Sequence, residues 1–379
     1  MSGQPLMSDE GLQVERVTAR VGRRTWCRAT RLLVSCALLW LGFVFAQWFL
    51  SGHWWVWLLV GAIPPFLFVL VPLLLLAGVL VLLACRIRLP VAARWWVAVA
   101  GVLAGILGFG QSGINVAALT GNPDGAVPPG AIHVFSWNTE YWDQNDDASH
   151  FYDYLKAQHA DVYLLQEHMY WDESKDEKGA IQLKDIDQLR QEFPGYTVVA
   201  KGELLTLSRF PVLGWPHVSA ADWWADFTTG KVLRTDLRVG TTTLSVYNVH
   251  IPVQVDMNRS PLHADFYGYT READDQRHAQ FSALTSDVGA NPKPVLIAGD
   301  FNTSPAMADL AGLRSITADA ARAARSLYPA SWQAGSWMRF WRLDWAFTMH
   351  GVRVHRYEFE DPQGMSDHDA QDLTISLPD

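Results

Sequence analysis

Cysteine is scarce in this chain of 379 residues, and the three cysteines all lie in its first quarter. After Cys85 no thiol remains, which excludes disulfides and cysteine-ligated zinc from the rest of the chain. The later part must therefore be stabilised by a buried core, for which about 250 residues are ample. Internal repeats and low-complexity tracts are also absent from the later part of the sequence.

Charge is absent from three long stretches, which are residues 32–50, 66–84 and 95–113. An apolar stretch of about twenty residues is long enough to cross a lipid bilayer as a helix. Three buried helices of a soluble protein are the alternative, and the length of the stretches disfavours them. The sequence therefore predicts three transmembrane helices and a lipid bilayer as a partner.

Acidic residues are scarce before Ile114, since residues 1–113 include only three acidic residues and nine basic ones. The residues from Ile114 onward include 36 acidic and 21 basic ones. The early arginines lie before the first stretch or between the second and third: Arg16, Arg20, Arg23, Arg24, Arg28, Arg31, Arg86, Arg88 and Arg94. By the positive-inside rule both regions are cytoplasmic, so three spans place the C-terminal part outside the cell membrane. A basic N-terminus of this length is unlike a cleaved secretory signal.

Four regions follow from these patterns. They are a cytoplasmic N-terminus at 1–31, a membrane region at 32–113, a Gly/Pro-rich linker at 114–130 and one exported domain at 131–379. In the exported domain, short β-branched and aromatic runs outnumber helical patterns, which occur at 148–158 and around 272–288. The mixed order predicts a layered α/β domain.

Polar residues recur where the predicted strands end or begin. They are Asn138 after "IHVFSW", Glu167 after "DVYLLQ", His250 closing "TTLSVYNV", Asp300 and Asn302 after "PVLIAG", Asp344 in "WRLDWAF", and Asp367 and His368 in "GMSDHDA". Each one alone fits a turn or a structural role. Together, their oxygen ligands favour Mg²⁺, Mn²⁺ or Ca²⁺ over structural zinc. Carboxylates paired with histidines also suit acid–base chemistry on a phosphate.

The ordered motifs resemble those of the endonuclease/exonuclease/phosphatase superfamily, in its membrane-anchored bacterial form. The series is "SWNTEYW", "LLQEH", "LSRFP", "YNVHIP", "AGDFNTSP", "RLDWAF" and "MSDHDA", and it spans about residues 131–379. The resemblance implies an α/β four-layered sandwich, with two central mixed β-sheets flanked by helices. It also implies a metal-dependent hydrolase that acts on phosphate ester or pyrophosphate bonds.

The resemblance assigns one group of residues to a divalent cation and to the phosphate. Glu167 is the expected main metal ligand, with Asn138 beside it and Asp367 completing the acidic group. His250 is expected to contact the phosphate, and Arg209 of "LSRFP" to supply positive charge to it. Mg²⁺ is the expected cofactor, with Mn²⁺ or Ca²⁺ as alternatives.

The resemblance assigns a second group to the attacking water and the scissile bond. Asp300 is expected to orient or deprotonate the water, and Asn302 to hold that water or a phosphate oxygen. His368 is expected to contact the scissile phosphate as an acid or a base, oriented by Asp344. Which residue is the general base stays open.

The substrate follows from charge and tethering, because the superfamily shares chemistry and not substrate. The excess of acidic residues after Ile114 repels a polyanion, so nucleic acid is a less favoured substrate. Three spans would hold the domain near lipid headgroups, which favours a phosphodiester or pyrophosphate in a lipid headgroup at the outer face. A sphingomyelinase-like phospholipase C, an extracytoplasmic nuclease of the DNase I type and a non-catalytic binding protein remain alternatives. The oligomeric state stays open.

Overall fold

A computed structural model describes most of the chain. The described residues are 26–87, 89–120, 127–141, 148–171, 180–182, 186–218, 231–256, 258–333, 335 and 339–378. Residues 1–25 and Arg88 lie outside the described residues. Four of the other arginines used to predict orientation are among those first 25 residues. Part of the predicted linker, residues 121–126, also lies outside the described residues.

The described residues form helices and strands with the following bounds. The helices are α1 Arg28–Leu50, α2 Trp57–Gly61, α3 Leu67–Ala84, α4 Val91–Phe109, α5 Ala117–Thr120, α6 Ala148–Ala157, α7 Ile186–Glu192, α8 Ala264–Ala290 and α9 Ala311–Ile316, with 3₁₀ turns at Ala308–Leu310 and Ala320–Ala323. The strands are β1 Ile132–Asn138, β2 Val162–Gln166, β3 Met169–Trp171, β4 Ala180–Gln182, β5 Thr197–Lys201, β6 Leu204–Ser208, β7 Val212–Gly214, β8 Val232–Val239, β9 Thr242–His250, β10 Val295–Asp300, β11 Ala318–Asp319, β12 Asp344–Met349, β13 Arg353–Glu360 and β14 Ala370–Ser376.

The chain divides into two units, and the first contains the apolar helices up to Phe45 and from Val69 to Leu107. Helices α1, α3 and α4 are each long and apolar enough to cross a membrane. Small residues such as Ala37, Ala93 and Ala100 are buried where these helices pack together, as is common in membrane helix bundles. The third helix begins at Val91 and not at residue 95, because Pro90 marks its start and Arg94 bonds the carbonyl of Leu89.

The second unit, Ala46–Phe68 with Gly108–Asp379, contains two six-stranded mixed sheets. The first sheet has the order β13-β14-β1-β2-β6-β5, and the second has the order β11-β12-β10-β9-β8-β7. In each sheet one neighbouring pair is parallel, β1 with β2 and β9 with β10. A separate hairpin joins β3 and β4.

Side-chain burial shows four layers in this unit. Val134 and Leu164 face the second sheet, where they pack in one cluster with Leu296. Their chain neighbours face the other way, toward α6 and α7, because successive strand residues alternate between faces. Helices α8 and α9 cover the outer face of the second sheet. The predicted sandwich of two mixed sheets flanked by helices is confirmed.

Buried polar side chains join the two sheets just beneath the ends of β2 and β10. Gln166 donates to the side-chain oxygen of Asn248 at 2.7 Å, and Gln371 donates to the carbonyl of Gly299 at 3.2 Å. Gly299 has a φ of 148°, and a Cβ there would lie 2.0 Å from the carbonyl oxygen of Val249. Only glycine therefore allows β9 and β10 to approach this closely.

Helix α8 begins at Ala264, which is earlier than the helical pattern predicted around 272–288. The buried face includes Thr270 and Arg277 among its apolar residues, and these polar side chains interrupt the hydrophobic periodicity. The segment between His250 and α8 is therefore limited to residues 251–263.

The last turn of α1 and the residues between α1 and α3 belong to the second unit, and we call residues 46–66 the connector. The connector packs against the loop that follows β10, residues 301–307, which we call the β10 loop, and against the 3₁₀ turn after it. The hydrogen bonds run from Gln47 Nε2 to the Ala306 carbonyl (2.6 Å), from the Ala308 amide to Ser51 Oγ (3.0 Å) and from Ser304 Oγ to the Gly61 carbonyl (3.3 Å). The connector is thus part of the sandwich unit.

Candidate active site

One end of the sandwich collects most of the polar residues singled out in the sequence. Strands β1, β2, β9 and β10 end there, and β12 and β14 begin there. The register places Asp300 directly opposite His250 on one side and Asp344 on the other. Three residues that lie far apart in the chain are therefore side by side because of strand pairing alone.

Asp300 is the centre of the hydrogen-bond network at this end. Its Oδ2 accepts from Nδ2 of Asn138 at 3.0 Å and from Nδ2 of Asn302 at 3.1 Å. The same oxygen lies 3.7 Å from Nε2 of both His250 and His368. A carboxylate oxygen between two imidazoles is well placed to act on a water bound beside it.

Asn302 reaches Asp300 through a turn and not through a continued strand. The strand ends at Asp300, and Asn302 has a left-handed φ of 45°. The backbone amide of Asn302 donates to Asp300 Oδ1 at 2.7 Å, and its side-chain Nδ2 lies 3.3 Å from Nε2 of His250. Asp300 and Asn302 therefore converge, although β10 itself ends at Asp300.

His368 is bonded to a buried carboxylate. Its Nδ1 donates to Oδ2 of Asp344 at 2.8 Å, and Ser331 Oγ donates to the same oxygen at 2.6 Å. Burial alone would lower the pKa of His368, but Asp344 and Asp300 raise it well above its ordinary value. The imidazole is consequently held in one orientation and favours its protonated form, with Nε2 toward Asp300.

His250 has a different carboxylate partner, Glu203, which the sequence motifs did not single out. Nδ1 of His250 donates to Oε1 of Glu203 at 2.9 Å, and Lys231 forms an ion pair with the same oxygen. Burial would raise the pKa of Glu203, but Lys231 and His250 lower it to about 2. Burial would lower the pKa of His250, but Glu203 raises it above its ordinary value.

Glu203 carried no recognisable signal in the sequence. It precedes β6, where a glutamate normally indicates a solvated turn, yet the structure buries it. Its position follows from the antiparallel pairing of β6 with β2, which brings the start of β6 beside the end of β2.

Glu167 and Asn138 lie next to Asp300 at the ends of β2 and β1. Asn138 Nδ2 lies 3.2 Å from Oε1 of Glu167, and that oxygen lies 3.5 Å from Nε2 of His250. Burial raises the pKa of Glu167, although His250 opposes this shift. The pKa of this half-buried carboxylate stays raised although His250, His368 and Asn138 lower it, which fits a site for a bound cation.

Asp367 lies at the outer edge of the same end, beside Glu140. Its amide donates to Oε2 of Glu140 at 2.8 Å, and its Oδ2 accepts from Nε1 of Trp332 at 2.7 Å. Burial and the charges of Asp367 and Glu167 raise the pKa of Glu140. Glu140, which was not singled out in the sequence, therefore joins the acidic group.

Two overlapping sets of residues could hold a divalent cation. Asp300, Asp344 and His368 offer ligand atoms that all lie within 4.8 Å of one another. Nδ1 of His368 and Oδ2 of Asp344 are already bonded to each other, however, so this set functions better as an acid–base pair. The carboxylates of Glu167 and Asp300 fit a hard cation such as Mg²⁺ better. Asn138 lies beside them with Nδ2 toward both carboxylates, while its Oδ1 accepts from the backbone amide of Glu140.

The prediction for Arg209 is wrong. Arg209 follows β6, and β6 runs antiparallel to β2, so Arg209 lies at the start of β2 while Glu167 lies at its end. Its guanidinium forms an exposed ion pair with Asp161 at 3.5 Å and stacks over the ring of Tyr196. Positive charge at the site must come from other groups.

Backbone strain concentrates at the same end of the sandwich. Glu140, Tyr141, Glu167 and Asn302 all have left-handed φ values between 45° and 56°. Such conformations are uncommon for residues other than glycine and tend to occur at functional sites.

The fold and the site define an α/β sandwich with a cluster of carboxylates, amides and histidines at one end. The profile of the endonuclease/exonuclease/phosphatase family matches residues 135–368, and the chain belongs to that family. The family includes metal-dependent phosphoesterases and nucleases. No curated protein sequence matches the chain.

Several solved structures are similar to this chain. A D. rerio TDP2 humanized by 14 mutations is 15% identical, with a TM-score of 0.48 over 65% of this chain and 100% of that chain. Truncated Caenorhabditis elegans TDP2 is 19% identical, with a TM-score of 0.46 over 66% of this chain and 99% of that chain. A Bacteroides vulgatus endonuclease/exonuclease/phosphatase is 14% identical, with a TM-score of 0.46 over 65% of this chain and 99% of that chain.

Proposed function

We propose that this protein is a membrane-anchored, divalent-metal-dependent phosphohydrolase that cleaves a phosphodiester or pyrophosphate bond in a lipid headgroup. Family membership and the residues around Asp300 support hydrolysis of a phosphate ester. The lipid substrate and the outer face of the membrane are the further steps of the proposal.

The packing of the connector on the β10 loop is the observation that supports a lipid substrate. The connector joins two helices that are apolar enough to cross a membrane, so both its ends lie at a membrane surface if these helices span it. The β10 loop starts directly after Asp300 and contains Asn302. An active site attached in this way is accessible to lipid headgroups as well as to the bulk solution.

The side chains supply the elements of a hydrolytic step. Asp300 orients the attacking water and accepts its proton, while Asn302 fixes the carboxylate and the water. His368, protonated and oriented by Asp344, donates a proton to the leaving oxygen. The imidazole of His250 lies on the other side of Asp300, where its charge favours an anionic phosphate.

Glu167 and Asp300 would hold the divalent cation, with Asn138 beside them. When bound, such a cation withdraws charge from the phosphoryl oxygens and offsets the buried carboxylates. Mg²⁺ is the favoured ion for this set of oxygen donors, with Mn²⁺ as the near alternative.

Orientation in the membrane is also part of the proposal. The early arginines favour a cytoplasmic N-terminus, which puts the sandwich outside the cytoplasm after three spans. A reporter enzyme fused after Asp379 should be active only if it is external. Activity restricted to the cytoplasmic side would overturn this orientation.

The function is tested with the full-length protein in nanodiscs containing Mg²⁺ or Mn²⁺. The substrates are a polyprenyl pyrophosphate, sphingomyelin and DNA, each followed by release of its phosphate product. We expect hydrolysis of a lipid substrate that falls at least a hundredfold in Glu167→Gln and in Asp300→Asn. Asp187→Asn, whose side chain is 90% exposed, is the matched control.

Each result has a clear meaning for the proposal. Hydrolysis of DNA with no hydrolysis of either lipid would refute the lipid substrate while retaining the enzyme. Failure to hydrolyse any substrate, in a protein that still binds the metal, would refute the enzyme itself. Equal loss of activity in the Asp187→Asn control would show that the two site variants report only general damage.

A further inference from the structure

A second cavity with a basic lining lies in the sandwich unit. It has a volume of about 270 Å³ and borders residues 110–115, which follow α4 directly. Arg314, Arg322 and Arg342 line it, and Asp319 is the one acidic side chain among its described lining residues. Three guanidiniums against one carboxylate are unexpected in a region that carries 15 more acidic than basic residues.

The carboxylate of Asp319 is already engaged by one arginine. Nη1 of Arg342 donates to one oxygen of Asp319 at 3.0 Å, and Nη2 donates to the other at 2.6 Å. Burial would raise the pKa of Asp319, but Arg342 lowers it. This bidentate pair leaves the other two guanidiniums of the cavity without a full countercharge.

Arg314 is half-buried, and its charge is only partly compensated. Its guanidinium lies 4.4 Å from the ring centre of Trp345, and that of Arg342 lies 3.7 Å from the same ring. Within the described part of the chain, Arg314 has no hydrogen bond or ion pair. Burial lowers the pKa of Arg314 to about 10, although Asp319 opposes this shift. A bound anion would offset the cost of burying this cation.

Arg322 is exposed at the rim of the cavity, and it too has no ion pair with a described residue. The cavity therefore presents one half-buried and one exposed guanidinium that are available to a ligand. Guanidinium groups match the oxygens of a phosphate in geometry and charge. A cavity of this volume has room for a phosphoryl group with part of a glycerol backbone.

The location of the cavity points to the source of the phosphate. Gly110 follows the last residue of α4, so the cavity wall begins where a membrane-spanning α4 would leave the bilayer. Pro305 of the β10 loop also lines the cavity. We propose that this cavity binds the phosphate of an anionic phospholipid of the adjacent leaflet. The lipid would be a resident ligand that steadies the membrane side of the unit, and not the substrate.

The test compares full-length protein in phosphatidylcholine nanodiscs with and without phosphatidylglycerol. Thermal unfolding and native mass spectrometry report stabilisation and the lipid that stays bound. We expect phosphatidylglycerol to raise the melting temperature and to stay bound, and its affinity to fall about tenfold in Arg314→Gln. Arg322→Gln, at an exposed position that does not endanger folding, should weaken binding in the same direction. Arg190→Gln, exposed and paired only with Asp187 in the described structure, is the control.

A separate arm adds inorganic phosphate to protein in phosphatidylcholine alone. Stabilisation by inorganic phosphate with no further effect of phosphatidylglycerol would overturn the lipid assignment. Equal lipid binding by the parent, Arg314→Gln and Arg322→Gln would overturn the site itself. The readout is binding and stability, so it is independent of whether the proposed hydrolysis is correct.

Discussion

Replacing Gln47 by leucine should weaken catalysis from a position that contacts no substrate. Gln47 is 1% exposed, and it donates to the carbonyl of Ala306 at 2.6 Å while accepting from Nε1 of Trp57 at 2.5 Å. Leucine leaves the carbonyl and the indole N–H without these partners. Only the bond to Ala306 joins the connector to the β10 loop, so its loss weakens that contact by about 1–3 kcal/mol, while loss of the Trp57 bond loosens the connector itself.

The weakening should appear first as local opening of the β10 loop and the turn after it. The amide of Ala308 bonds Ser51 of the connector, and the amide of Met307 bonds the carbonyl of Ser304. A loss of about 2 kcal/mol speeds hydrogen exchange of these amides about thirtyfold if they exchange by local opening. Because the same loop positions Asn302, we expect kcat to fall by about tenfold to a hundredfold, with a smaller change in KM.

Hydrogen–deuterium exchange and steady-state kinetics on the nanodisc protein check this prediction. Trp54→Ala is the control, because Trp54 lies in the connector but is 48% exposed. Unchanged exchange and unchanged kcat in Gln47→Leu would refute the reasoning. Faster exchange with unchanged kcat would show that the contact exists but does not support the active site.

Three further changes test the partners of the site. Asp344→Asn should lower kcat about a hundredfold or more. Because Asp344 keeps the pKa of His368 raised, the protonated imidazole should also be lost at lower pH, which a pH–rate profile and NMR titration would detect. Glu203→Gln should lower stability by about 3 kcal/mol at neutral pH, because it leaves Lys231 unpaired. Since the pKa of Glu203 is lowered from 4.5 to about 2, this deficit should shrink as pH falls through that range, measured as melting temperatures. Arg209→Gln should leave kcat/KM within about twofold of the parent, because it removes only an exposed ion pair.

The sequence allowed the end-of-strand residues to be predicted as one group, because ligand groups collect where strands of a rigid scaffold end. Asp300, His250 and Asp344 lie in neighbouring register positions, as that reasoning requires. The same reasoning failed for Arg209, because a motif gives the order of a residue along the chain and not the direction of its strand in the sheet. Glu203 was missed because it precedes β6, the strand that Arg209 follows. The direction of β6 in the sheet places Glu203, and not Arg209, at the site.

The connector could not be predicted to belong to the sandwich unit. Its apolar and aromatic residues fit a membrane interface equally well, and its partners lie more than 220 residues later in the chain. Helix α8 was only half predicted, because Arg277 is buried on its inner face. The guanidinium of Arg277 donates to the carbonyl of Pro252 and to Thr303 Oγ1, which fixes the chain after both β9 and β10. Tertiary hydrogen bonds here outweigh the local hydrophobic pattern.

Because Arg209 is absent from the site, other groups must balance the negative charge of the site's carboxylates. Glu167, Asp300 and Asp344 lie together at this end of the sandwich, and the imidazoles of His250 and His368 lie beside them. Each imidazole is held through Nδ1 by its own buried carboxylate, so each presents Nε2 toward Asp300. An anionic phosphate would then meet two oriented imidazoles, and Arg209 would take no part in its binding. This arrangement fixes the position of the charge before the substrate arrives, which is the condition under which electrostatic stabilisation of a transition state is most effective.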